Sequence, residues 1–245
     1  MPETIALIAL GANLGDSKES LDLALDQLQA HSEITLRSAS SYFRTRPVGG
    51  PLGQPLFLNG AASVHTRLTA CELLSVLKAM ESDLGRIRHE TWSARRIDLD
   101  LIAYGDCVFE SETLILPHPR MTVRRFVIDP LMQIEPEWLH PQLLWKTEEI
   151  RDHMLLAPRN VNLGPVLARL KDCAACRLLL ERFSEVSDGW EWDESSTSAM
   201  FEVYWNKDFM LEKKWRLPRF FPTLDQPELM MEQLIATCRG MTFLG

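Results

Sequence analysis

The sequence has no apolar run approaching the ~20 residues that cross a bilayer, and its first stretch, MPETIALIALGANLGD, lacks the basic region that opens a secretory signal. It has no basic excess either. Lys and Arg number 26 against 34 Asp and Glu, a formal net charge of -8, which removes the field that general nucleic-acid binding needs. Cysteines are sparse, and their number, five in 245 residues, is odd, which argues against a disulfide framework. The chain contains no internal repeat, no low-complexity tract, no G-K-S/T phosphate loop and no G-x-G-x-x-G fingerprint. These absences point to a soluble cytoplasmic protein with reduced thiols and with neither a membrane nor a nucleic acid as partner.

What is present is a regular alternation of elements. TIALIAL (Thr4–Leu10) reads as a central strand ended by Gly11. Asp16 and Glu19 have capping-box spacing before a helix whose Leu21, Ala24, Leu25 and Leu28 share one face. A strand with a polar side follows over Ile34–Thr45, then a Pro/Gly loop, Arg46–Pro55, and the strand LFLNGAASVHT. Thr69 and Glu72 repeat the capping signal, Leu73, Val76, Leu77, Met80 and Leu84 form the apolar stripe, and Gly85 is placed to stop the helix. A charged loop, Arg86–Arg96, leads into IDLDLIAYG. The order β-α-β-β-α-β predicts an α+β, ferredoxin-like sandwich, one antiparallel sheet with two helices on one face.

The chemistry concentrates at Asp98 and Asp100. Two apart on a strand, both project from one face while Ile97, Leu99 and Leu101 project from the other. Taken alone, D-x-D is the solvated face of an antiparallel strand. Arg86, Arg88, Arg95 and Arg96 flank the pair, and guanidinium groups bind phosphate oxygens with paired hydrogen bonds. Carboxylates for a hard cation beside arginines for the remaining anion describe a metal–polyphosphate site. LGANLGD adds a strand-to-helix turn of the kind that often holds phosphate, and RPVGGPLGQPLFLN a loop suited to a flat heterocycle.

LGANLGD, TRPVGGPLGQPLFLN, ESDLGRIRHETWSARRIDLDLI and LILPHPRMTVRRFVIDPL occur in that order over roughly Ile5–Pro136. Together they resemble the 6-hydroxymethyl-7,8-dihydropterin pyrophosphokinase family of folate biosynthesis. The resemblance implies transfer of the β,γ-diphosphate of ATP to the hydroxymethyl group of a dihydropterin, with release of AMP and with two magnesium ions on the triphosphate. It implies Asp98 and Asp100 as the metal ligands and Arg86 and Arg95 as the arginines that assist transfer. Glu81, Trp92, His118 and Arg124 correspond to residues at the nucleotide. Thr45, Val48, Phe57, Asn59 and Phe126 correspond to the pterin site, with the two phenylalanines stacking and Asn59 reading the ring edge. No single base for the hydroxyl proton emerges: Asp98, Asp100 and a metal-bound water all stay open. Ala12 stands where the family usually has Ser, and Ser93-Ala94 where it usually has Gly-Pro.

The resemblance divides the chain into a pyrophosphokinase domain, 1–160, and an extension, 161–245. Trp190, Trp192, Trp205 and Trp215 argue that the extension packs. It is predicted to be mixed but mainly helical, with a short helix at LGPVLARL, an exposed loop at WEWDESSTS and a final helix in DQPELMMEQLIATCRG, and either to dock on the first domain or to serve self-association; EEIRDHM, just before it, also reads as a short helix. Cys173-Ala-Ala-Cys176 has redox or zinc spacing without a second ligand pair, and reads as two reduced thiols. Two other function classes fit parts of the pattern. A pterin- or nucleotide-binding protein without catalysis would not need Asp98, Asp100, Arg86 and Arg95 together. An RNA-binding sheet of the same topology would need exposed aromatics and a basic face.

Overall fold

The computed structural model describes residues 3–48, 53–86, 94–157 and 160–163, and beyond these shorter stretches that include 183–187, 190–193, 201–203, 218–220 and 233–238. The first half runs β1 (Thr4–Ala12), α1 (Ser17–Ala30), β2 (Ile34–Ala39), β3 (Phe43–Thr45), β4 (Phe57–Thr66), α2 (Ala70–Asp83) and β5 (Asp98–Tyr104). These strands form one sheet in the order β2-β4-β1-β5, with β3 also on β4, and the pairings are antiparallel. Asp16 caps α1 by accepting the N–H of Glu19 at 3.0 Å. Thr69 and Glu72 form the complete reciprocal box on α2, and Gly85, at φ 81°, follows the helix in the left-handed region.

The strand predicted over Ile34–Thr45 is two strands. The N–H of Ser40 bonds the carbonyl of Ala61 and its hydroxyl accepts the N–H of Ala61 at 2.9 Å. The chain then bends so that the Tyr42 ring lies over Gly60, where a Cβ would come within 3.0 Å of the ring, and pairing with β4 resumes at Phe43.

Both faces of the sheet are covered. On one, Ile8, Leu10, Leu99 and Leu101 pack against Leu21 and Leu28 of α1 and Leu73 and Leu77 of α2. On the other, Leu7, Ala9, Ala61 and Ile102 share a core with Val127 and Leu131 of α3 (Arg125–Ile134) and Ile150 of α4 (Thr147–Leu156). Between β5 and α3 lie a small hairpin, β6 (Phe109–Glu110) and β7 (Ile115–Leu116), and the 3-10 turn Met121–Val123. Among the described residues no helix is long and apolar enough to cross a membrane.

The C-terminal stretch combines short strands with helical segments among its described residues. Its β8 (Asn160–Asn162), β9 (Glu191–Asp193), β10 (Phe201–Val203) and β11 (Arg219–Phe220) form a four-stranded sheet, order β11-β10-β8-β9, with parallel pairing. A short helix, α5 (Phe183–Val186), precedes β9. WEWDESSTS is not simply an exposed loop: Trp190 is 1% exposed and Glu191–Asp193 are β9. Strands of two or three residues are too short for hydrophobic periodicity to register. Most of LGPVLARL lies outside the described residues. Residues 233–238 are helical as predicted, with Met231, Leu234, Ile235 and Cys238 buried. The buried residues of this stretch, among them Phe183, Trp190 and Val203, belong to the same core as Met121, Val123 and Val127, and β11 packs beside the 3-10 turn.

That continuity predicts the effect of truncation. A chain ending at residue 157 strips Val161, Phe183, Trp190 and Val203 from a shared core, and each large buried side chain is worth about 1.5–3 kcal/mol. The truncated protein should melt several degrees lower and bind an apolar-surface dye more strongly. An unchanged melting temperature would show that the two sets of residues do not support each other.

Candidate active site

The site lies where strand ends from across the sheet meet the segment after β7. Its floor is set by register. Across β1, Gly11 faces Asp98 of β5 on one side and Asn59 of β4 on the other. A Cβ on Gly11 would stand 3.0 Å from Oδ1 of Asn59 and 4.0 Å from Cβ of Asp98, so the missing side chain is what leaves the floor open. Beyond Asn59, β3 brings Thr45 opposite Phe57, and the Asn59 amide donates to the Thr45 hydroxyl at 2.7 Å. The far wall is the segment from His118 to Phe126. Together these enclose a cavity of about 320 Å³.

One half of the cavity is ionic. Asp98 accepts Arg86 on Oδ1 and Arg95 on Oδ2, each at 2.7 Å. Arg86 also pairs with Glu81, a carboxylate only 6% exposed, whose Oε1 accepts the N–H of Leu99 at 2.7 Å. Leu99 lies between the two aspartates, so Glu81 ties α2 to the backbone that carries them. Burial pushes the Glu81 carboxyl up, against the Leu99 N–H and the Arg86 charge. Burial, then the charge of Asp100, pushes Asp98 up, against Arg95 and Arg86. A carboxylate held in this way favours added positive charge.

The wall is cationic. Arg120 is 7% exposed, and burial followed by the neighbouring Arg124 lowers its guanidinium to about 9. Burial also lowers Arg124, with Asp100 acting in the opposite direction. The Arg124 guanidinium lies 5.3 Å from the centroid of the Phe126 ring, a cation–π distance. Nδ1 of His118 accepts the N–H of Arg120 at 3.1 Å, and burial, then Arg124 and Arg120, hold the imidazole well below 6.5. The ring is therefore neutral, with its proton on Nε2.

Of the residues singled out from the sequence, Arg86, Arg95, Asp98, Asp100, His118, Arg124, Thr45, Val48, Phe57, Asn59 and Phe126 line this one cavity. Glu81 stands behind it, holding Arg86 and β5 rather than facing the space. Trp92 and Arg88 lie outside the described residues. Arg96 is exposed and packs against the turns at Gly15 and Gly85. Only Gly11 of LGANLGD lines the cavity. Asn13 of that motif is a clamp: its Oδ1 accepts the N–H of Arg95 at 2.8 Å, its own N–H bonds the Arg95 carbonyl, and its amide reaches the carbonyl of Pro55 at 3.3 Å. Sequence reasoning missed Asn13 and also Arg120, Arg46 and Pro119, which line the cavity. Arg120 had a signal, its place in HPRMTVRR beside two residues already singled out.

The donor set suits magnesium. Asp98 and Asp100 supply hard oxygen ligands and leave most of an octahedral shell to phosphate oxygens and water. Among the described residues no group of three or more His, Cys, Asp or Glu could hold an ion.

Comparison with known proteins places the chain among relatives of one family. The family model for 7,8-dihydro-6-hydroxymethylpterin-pyrophosphokinase (HPPK) matches residues 7–136. The 2-amino-4-hydroxy-6-hydroxymethyldihydropteridine pyrophosphokinase of Synechocystis is 41% identical over 137 residues, 56% of this chain and 69% of that protein. The protein of the same name from Haemophilus influenzae is 36% identical over 154 residues, 62% of this chain and 96% of its own length. Wild-type Plasmodium falciparum HPPK-DHPS, solved with STZ-DHP, is similar in fold, with a TM-score of 0.51 and 12% identity over 82% of this chain and 55% of that one. This chain therefore spans just over half the length of that structure.

The His118 environment predicts a pH response. A histidine whose folded pKa is depressed takes up its proton mainly on unfolding. Its contribution to stability is complete above the unfolded value of 6.5 and is lost as pH falls below it, by up to about 1.4 kcal/mol per pH unit. Ring NMR signals of His118 should show no titration near 6.5, and His118→Gln should flatten the acid limb of the stability curve. A midpoint near 6.5 would overturn the assignment.

Proposed function

The chain belongs to the 7,8-dihydro-6-hydroxymethylpterin-pyrophosphokinase family, and from that premise we propose how its cavity carries the family's reaction. The protein is an ATP-dependent diphosphotransferase of folate biosynthesis, moving the β,γ-diphosphate of ATP to the hydroxymethyl group of 6-hydroxymethyl-7,8-dihydropterin and releasing AMP. The observation that carries the reading is the meeting of two unlike half-sites across Gly11. The carboxylate and guanidinium groups stand on one side and the amide, hydroxyl and Phe57 on the other. The antiparallel order β2-β4-β1-β5 with α1 and α2 on one face supports a ferredoxin-like sandwich as the scaffold.

In this reading Asp98 and Asp100 would hold two magnesium ions together with ATP. When bound, magnesium neutralises the triphosphate and favours departure of AMP. Arg86, Arg95, Arg120 and Arg124 offer guanidinium groups to phosphate oxygens, and the neutral His118 offers Nε2–H without adding charge. Phe57 and Phe126 take the faces of the pterin, and Asn59, oriented by Thr45, takes its polar edge. The protein's contribution is alignment of the attacking hydroxyl with the β-phosphorus and neutralisation of charge in a site shielded from water.

Purified protein supplied with magnesium, ATP and the hydroxymethyl dihydropterin should yield AMP and the pterin diphosphate. ADP as the sole nucleotide product, or tight binding of both substrates without turnover, would overturn the proposal. Arg95→Ala should lower kcat by about 10²–10³, the scale for removing one charge-stabilising donor, with little change in pterin affinity. Gly11→Val should act on the other half-site: its side chain collides with Asn59, so pterin binding, read by calorimetry, should weaken before the fold does.

A further inference from the structure

The extension carries a pair of thiols that the pyrophosphokinase reaction does not use. Cys173 and Cys176 are three apart. Cys173 sits at a bend and Cys176 in helical backbone. The backbone N–H of Cys176 points at the Cys173 sulfur, 3.4 Å from it, the geometry in which a side chain caps a helix three residues on. Both are thiols in this structure. Their exposure is unequal: Cys173 is partly exposed, whereas Cys176 is 0% exposed and belongs to the core it shares with Phe183 and Trp190.

These features divide the labour of thiol–disulfide exchange. The accessible sulfur can be reached by a reagent, the N–H beside it is a donor for the negative charge that sulfur bears when it attacks or departs, and the second thiol belongs to the residue whose N–H lies 3.4 Å from that sulfur and is closed to solvent. We propose that Cys173 and Cys176 form a redox-active dithiol that exchanges with low-molecular-weight disulfides. The Cys173 thiolate attacks one sulfur of the small disulfide, and one small thiol leaves. The Cys176 thiol gives up its proton and attacks the Cys173 sulfur, expelling the second small thiol. The small disulfide gains two electrons and two protons, and the cysteine pair loses them.

The test uses the full chain under native conditions with oxidised glutathione as the probe, followed by acid quenching and peptide mapping. The peptide spanning both cysteines should emerge two hydrogens lighter and without an adduct, while the exposed Cys71 carries a glutathione that stays. Cys176→Ser should trap a stable glutathione on Cys173, and Cys173→Ser should leave Cys176 unmodified. A lasting adduct on Cys173 in the unsubstituted protein would overturn the proposal, as would an unmodified Cys173 while Cys71 is labelled. Those two readouts need no variant and so do not depend on how a serine is tolerated in the core.

Discussion

Two aspartates on one face of one strand repel each other, and the first half of the chain is organised around holding them there. Glu81 is the centre of that arrangement. It reaches from α2, accepts the amide between Asp98 and Asp100, and grips Arg86, which in turn neutralises Asp98 together with Arg95. A buried carboxylate is costly unless it is paired and hydrogen-bonded, and Glu81 is both. Arg86, the Leu99 amide and, through Arg86, Asp98 are thus referred to one atom on one helix. That helix is itself fixed by the complete Thr69–Glu72 box and by Leu73 and Leu77 in the core.

Much of this was legible in the sequence because the relevant signals are local. Period-two alternation placed Asp98 and Asp100 opposite Leu99 and Leu101, and β5 is regular over that stretch. The regularity ends just beyond it. The pairing with β1 shifts between Leu7 and Ile8, so Ile102 and Ala103 both belong to the second core, which alternation alone does not give. The caps, the helix stripes and Gly85 read correctly for the same reason: each is decided within four residues. Asn13 did not, because its work is done on Arg95, 82 positions away. Glu81 was expected beside the nucleotide. Its position behind the site depends on how α2 crosses β5, which no pattern within α2 records.

The C-terminal stretch shows the opposite case. Its strands are two or three residues long and their pairing is parallel, so each partner lies across a crossover rather than a turn. Trp190 and Trp192 looked like part of a polar loop because the acidic residues around them dominate the local composition. Their burial is decided by Leu180 and Phe183: the Trp192 indole donates to the Leu180 carbonyl at 3.1 Å, and Phe183 shares the core with Trp190. The final helix was readable since it is long enough for its stripe to repeat.

The two clamps also set the boundary conditions for the chain between them. Arg86 is held by Glu81 at one end and the backbone of Arg95 by Asn13 at the other, while the same Asn13 amide fixes Pro55. A segment tethered at both ends has already lost most of the entropy of bringing those ends together, and that cost grows only slowly with the number of residues between. Substitutions within residues 87–93 therefore leave both tether points, Arg86 and Arg95, in place. Asn13 makes the return point of that segment and the end of the 46–55 loop at Pro55 a single mechanical reference.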